Sequence, residues 1–220
     1  MSERLIGILI SSFTKILIPG IKVTIPLTLV SFALSFVIGL LLALIQVADI
    51  KGLRQFARFY IWVFRGTPLI VQLFIIFFGL PNIGITLPAF TAAVLGFGMN
   101  LGAYNAEAFR AALIAVPNGQ WDAARSLGLS YAQTLRTVIV PQSFGIAFPS
   151  LFNNLISLLK DTSLAASITV VELFTVTQQI AARTYEPFAL YIEAAIIYLF
   201  FSTFLTWLQN YLENKFLWRL

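Results

Sequence analysis

The chain has 220 residues, 59% of them hydrophobic and only 10% charged, with a net charge of +5 and neither cysteine nor histidine. A soluble domain of this size cannot hide so much apolar surface, so the solvent for most of it is a lipid bilayer. The missing residue types exclude disulfides, thiolate chemistry, an imidazole proton switch and the usual zinc sites, and no metal site is expected. The positive balance reads as basic residues gathered on the cytoplasmic side of a membrane rather than as nucleic-acid binding.

In chain order, the N-terminus MSERLIGILISSFTKILIPGIK lacks a basic leader and a small-residue cleavage site, and reads as mature sequence. Val23 to Ala48 carries no charge and predicts a first span over about 20–48. As a helix that run measures about 39 Å, ample for a hydrocarbon core of about 30 Å. Pro26 falls near its start, where a helix tolerates proline. A short basic connector, Asp49 to Arg58, follows. Gly66 to Ala106 is again free of charge but too long for one crossing, and GLPNIGITLP, Gly79 to Pro88, supplies a turn. The second and third spans are therefore expected over about 58–79 and 88–114. Glu107 and Arg110, three residues apart near the end of the third, form a structural ion pair.

The stretch 116–142, VPNGQWDAARSLGLSYAQTLRTVIVPQ, is a polar insert in this greasy surrounding. Asn118 is a good N-cap after Pro117, Asp122 and Arg125 sit on the favourable ends of a helix dipole, and Gly128 suits a left-handed helix end. Ser130 and Gln133 form a capping box that opens a second helix, and Pro141 stops it. Two short helices are expected over about 118–140. Ala123 and Ala124 offer a small-residue face, rimmed by Trp121 and Leu127. The residues alone leave two readings open, a plug for a groove on a partner protein or an ordinary solvated helix. A DNA-reading helix-turn-helix does not fit between two membrane spans with so few spare basic residues.

A fourth span is expected over about 144–182, broken near 160–163 at KDTS, and a fifth over about 187–212. Two crossings between 141 and 183 is the alternative. One crossing keeps Lys51, Arg54, Arg58, Arg110, Arg125, Arg136, Lys215 and Arg219 on one side, with the N-terminus outside and the C-terminus cytoplasmic. Arg4, Lys15 and Lys22 then lie outside. Ionisable and amide groups at membrane depth are costly and face the bundle interior or a watery path. Asn154, Ser157 and Asp161 recur on one helical stripe with Asn153 at its edge, beside the expected break, and are candidates for a translocation path. Glu172 and Glu193 join them, with capping or subunit pairing as the competing role.

Asp122-Ala123-Ala124, three residues, Gly128, nine residues, then Val138, Ile139, Val140 and Pro141 resembles the EAA loop of binding-protein-dependent ABC importer permeases. That pattern runs Glu-Ala-Ala, three residues, Gly, nine residues, Ile, any residue, Leu-Pro; this chain has Asp for Glu and Val at the aliphatic positions. FRGTPLIVQLFIIFFGLP (64–81), 103–130 and NNLISLLKDTSLAASITVVEL (153–173) resemble the polar amino-acid subfamily, importers of His, Arg, Lys, Gln, Glu and opines. The resemblance implies one all-α transmembrane domain over 1–220 with the type I importer permease fold and about five helices. It implies that Trp121, Asp122, Ala123, Ala124, Arg125, Leu127 and Gly128 couple the chain to a cytoplasmic ABC ATPase. It further implies a second permease copy, identical or related, an external solute-binding protein, an amino-acid substrate and a home in the prokaryotic inner membrane. The chain has no G-x-x-x-x-G-K-[ST] loop, so it is expected to catalyse nothing and to hold no cofactor, with ATP and Mg²⁺ on the ATPase. The competing function is a stand-alone secondary amino-acid transporter, and a second rival is a membrane scaffold that recruits a cytoplasmic partner.

Overall fold

The computed structural model describes residues 3–48 and 52–216, which form eight helical segments and no strand. Lys51 and Arg219, used above to orient the chain, lie outside the described residues. The segments are α1 (Glu3–Ala48), α2 (Leu53–Gly66), α3 (Leu69–Ile83), α4 (Ala89–Ala115), α5 (Asn118–Ser126), α6 (Tyr131–Ile168), α7 (Leu173–Thr184) and α8 (Pro187–Phe216).

Only α1 and α8 are single helices long and apolar enough to cross a membrane among the described residues, and the pairs α2–α3 and α6–α7 pass when each is taken together. The two pairs are bent by 104° and 55°. Helix α4 holds the centre. It packs against α1, α2, α3 and α6, and about half of its residues are buried. Because about half of it is buried in protein, α4 can carry Asn100 and Asn105 on its buried side.

The contact between α1 and α4 is the most extensive in the molecule, and glycines allow it. A Cβ on Gly39 would lie 2.6 Å from the Asn105 Cβ and 3.0 Å from the Ala106 nitrogen. On Gly98 and Gly102, one turn apart, it would meet Leu34 at 2.5 Å and Ile38 at 2.7 Å. Small residues of this kind let two backbones approach where lipid offers no hydrophobic push between helices.

Several boundaries differ from those read in the sequence, and proline explains most of them. The first helix starts at Glu3, not near residue 20, and passes through Pro19 and Pro26. A π-helical turn, Gly20–Thr24, precedes Pro26 by two residues. The same spacing recurs at Ile75–Gly79 before Pro81 and at Leu135–Ile139 before Pro141. A proline ring clashes with the carbonyl four residues back and cannot donate to it. Here that carbonyl belongs to Lys22, Phe77 or Thr137, the middle residue of each π-turn. The wider turn separates ring from carbonyl and re-satisfies the freed groups, as helices in membranes do around proline. Pro141 therefore does not stop its helix: α6 runs from Tyr131 through it.

The expected second span is broken instead at Gly66–Pro68, where Thr67 is extended before Pro68. The turn before α4 is shorter than expected, with Gly84 left-handed. The fourth span keeps its α-geometry to Asp161, tightens to a 3₁₀ stretch over Thr162–Ile168, and bends only after Thr169, whose φ of 67° ends the helix. The break at 160–163 thus becomes a change of helix type, and the true bend lies at 169–172.

Replacing Gly39 by Ala is expected to destabilise the purified chain by about 1–3 kcal/mol, because the added methyl meets backbone that cannot give way. Gly7→Ala, where a Cβ meets nothing within 4 Å, is expected to raise stability slightly through helix propensity. Thermal unfolding of the two variants in one detergent checks the pair.

Candidate functional site

The polar insert is a two-helix knob whose shape is set locally. Helix α5 begins after Pro117, which occupies the N-cap position itself and makes no side-chain cap. Asn118 is thus the first helical residue and not the cap, since Pro117 has already turned the chain into position. At the other end Gly128 has φ 76°. Its N–H donates to the Arg125 carbonyl at 2.9 Å, and the Leu129 N–H donates to the Ala124 carbonyl at 3.1 Å. This pair of bonds is the Schellman motif, and it closes carbonyls the helix leaves open. Two residues on, the Ser130 N–H donates to the Gln133 side chain at 2.9 Å and the Gln133 N–H to the Ser130 hydroxyl at 3.4 Å. That capping box starts α6 and is worth about 1 kcal/mol.

Tertiary contacts fix the knob to the bundle. Ala124 is buried, and Trp121 packs against the cluster containing Phe109, Leu113, Val116 and Ile139. Its indole stacks on the Tyr131 ring at 5.4 Å, and the Gln142 amide donates to the Gln120 side-chain oxygen at 3.2 Å. Ala123 and Ala124 therefore do not share a face. The outward small-residue face is Gly119, Ala123 and Ser126, flanked by Asp122 and Arg125, with Leu127 80% exposed at its end. Asp122 and Arg125 lie 3.9 Å apart and are mostly exposed, so their attraction adds little stability. They are free to meet another surface.

The intramembrane polar residues divide in a way the sequence did not reveal. Asn153, Ser157 and Asp161, at spacings of four, are exposed along one side of α6. Asn154 turns inward and donates to the Asn105 side-chain oxygen at 2.8 Å, and Asn105 donates to the Ser35 hydroxyl at 2.9 Å. One chain of amides thus ties α6, α4 and α1. Glu172 is fully buried and caps α7, accepting from the N–H groups of Phe174 at 2.8 Å and Thr175 at 2.7 Å and from the Tyr198 hydroxyl at 3.0 Å. Glu193 is also buried and accepts from the Ser12 hydroxyl at 2.6 Å. These contacts place both carboxylates in the packing of the subunit, with capping the role Glu172 plays. Glu107 and Arg110 form the expected ion pair at 2.8 Å.

Sequence reasoning missed a second knot, at the elbow between α2 and α3. The Gln72 amide donates to the Phe64 and Thr67 carbonyls and to the Thr67 hydroxyl, and Asn100 donates to Phe64 and to Gln72. The residues Gly66-Thr67-Pro68 carried a signal for the break. Nothing in the local sequence pointed from Asn100 to Gln72.

Residues 35–218 match the family described as the binding-protein-dependent transport system inner membrane component. The chain is 44% identical over 205 residues to the L-cystine transport system permease protein TcyB of Bacillus subtilis (strain 168), covering 93% of this chain and 88% of that protein. It is 45% identical over 207 residues to the probable amino-acid ABC transporter permease protein YckA of the same strain, covering 94% and 91%. Among solved structures it superimposes on a chain of an amino acid ABC transporter crystallised with histidines, with a TM-score of 0.89 and 36% identity, covering 98% of this chain and 100% of that one.

No atom would crowd a Cβ at Gly128, so a substitution there acts through backbone strain alone. Gly128→Val is expected to cost about 1–2 kcal/mol locally and to speed amide exchange over residues 118–134 roughly tenfold, whereas Gly128→Asn stays near wild type. Hydrogen exchange read by mass spectrometry measures both, and equal protection in the Val and Gly proteins would show that the left-handed turn does not hold the knob.

Proposed function

Because this chain belongs to the binding-protein-dependent transport system inner membrane component family, we propose that its outward knob is the plug through which an ABC ATPase drives it. The protein is the membrane-embedded permease subunit of an ABC importer for amino acids and is not itself an enzyme. Nucleotide and Mg²⁺ belong to the partner ATPase, and an external binding protein delivers the substrate. Polar amino acids, basic ones among them, are the substrate class, and the prokaryotic inner membrane is its site.

The observation that carries the coupling role is the geometry of α5: a short helix with a small, outward Gly119–Ala123–Ser126 face, closed at its C-terminal end by the Gly128 turn and held to α4 and α6 through Trp121. A groove can approach such a face closely, and a rigid root passes a push to the bundle rather than absorbing it. We place five crossings, by α1, the α2–α3 pair, α4, the α6–α7 pair and α8, with the knob on the cytoplasmic side. The exposed polar line Asn153, Ser157 and Asp161 then borders the translocation path, across which a second permease copy, identical or related, faces it. Binding of ATP shifts the assembly between inward-open and outward-open states by favouring one of them.

The test is ATP hydrolysis by the reconstituted complex, stimulated by the loaded binding protein. Ala123→Trp and Leu127→Asp are each expected to reduce stimulation at least about tenfold, the effect of removing about 1.4 kcal/mol of coupling. Unchanged stimulation in both, with the permease folded, would remove the knob from the coupling path.

A further inference from the structure

A cleft of about 630 Å³ opens beside the root of the knob, lined by Gln46 and Val47 of α1, Arg54 and Arg58 of α2, and Glu107, Arg110 and Ile114 of α4. Its one carboxylate among the described residues, Glu107, already accepts from the Arg110 guanidinium at 2.8 and 3.1 Å, and Arg58 adds a guanidinium beyond that pair. On α2 the residues Arg54, Arg58 and Arg65 fall within about 40° of one another at about 100° per residue. The neighbouring arc of the same helix holds Phe56, Phe59 and Trp62, each at least 60% exposed. A cationic stripe beside outward aromatic rings is the pattern of a helix meeting the interfacial layer of a bilayer.

We propose that this cleft binds the phosphate of an anionic phospholipid headgroup from the leaflet on the knob's side. The position supports this: the lining residues of α1 and α4 are the last turns before the connector and before Val116, where chain leaves the bundle for the insert. Guanidinium forks match phosphate oxygens in pairs. The aromatic face of α2 supplies apolar surface beside the headgroup, where acyl chains begin. The proposal rests on the membrane placement given above, but not on the knob's coupling role.

The test uses the delipidated permease–ATPase complex in detergent, with thermal midpoint read against added phosphatidylglycerol, phosphatidylcholine or soluble glycerophosphate. Phosphatidylglycerol is expected to raise the midpoint while the other two leave it nearly unchanged. Arg58→Gln is expected to shift the half-effective lipid concentration roughly fivefold upward, the usual weight of one basic residue at a membrane surface. Ala111→Glu sets a carboxylate at an exposed position on the cleft side of α4 without removing a contact. It is expected to act in the same direction, and it keeps the test open if Arg58→Gln does not fold. Lys15→Gln, outside the cleft, is the control. An equal lipid response in all three variants and wild type overturns the site. A response to glycerophosphate as large as that to the lipid overturns the lipid as occupant. Loss of ATPase from the purified Arg58→Gln complex with an intact lipid response assigns the cleft to the ATPase instead. A lipid response is read whether or not the knob stimulates hydrolysis, so failure of either proposal leaves the other standing.

Discussion

The close approach of α1 and α4 is the constraint on which the remaining arrangement depends. Inside a bilayer, apolar side chains gain nothing by leaving lipid for protein, so helices associate through tight contact and hydrogen bonds. Gly39, Gly98 and Gly102 remove the atoms that would hold the two backbones apart. That proximity brings Asn105 within reach of Ser35, and Asn105 in turn receives Asn154 from α6. The same pair forms the wall on which α2 lies, through Leu42, Ala57, Ile61, Ala103 and Ala106. Loosening the α1–α4 contact would therefore disturb the amide chain, the seat of α2 and the root of the knob together.

Polar groups in the bundle are spent on holding helices rather than left to face lipid. Glu172 gathers N–H groups at the start of α7 and the Tyr198 hydroxyl of α8. Gln72 and Asn100 close the open carbonyls of a helix broken at Pro68. The break at Pro68 is thus met by side chains from α3 and α4, and the start of α7 by its own cap together with the Tyr198 hydroxyl, as non-helical backbone at membrane depth requires. Asn153, Ser157 and Asp161, by contrast, stay polar and exposed in a single line on one helix.

The local parts of this design were readable from the sequence, and the tertiary parts were not. Gly128, Ser130 and Gln133 act on backbone within a few residues, so their spacing alone announces the turn of the knob and the start of the helix after it. Which way Ala123 and Ala124 faced depended on Trp121 finding the Phe109 and Ile139 cluster, and no local rule contains that. Glu172 and Asn154 looked like pathway residues because an intramembrane carboxylate or amide is conspicuous on its own. Their partners, Tyr198 and Asn105, lie 26 and 49 residues away. The glycine pair Gly98 and Gly102, separated by three residues, did carry a signal for close packing that charge-free run lengths could not show.

The recurrence of a π-turn two residues ahead of Pro26, Pro81 and Pro141 has a consequence for how these helices keep phase. A π-turn holds one residue more than the α-turn it replaces, so the extra residue bulges outward while the strand of side chains beyond it resumes its former direction. At these three positions the surplus residue makes room for the proline ring, whereas Pro149 lies inside α6 with no π-turn before it, so the device is used at some prolines and not at others. Removing a residue from 135–139 together with the ring of Pro141 would return an ordinary α-helical turn at that place.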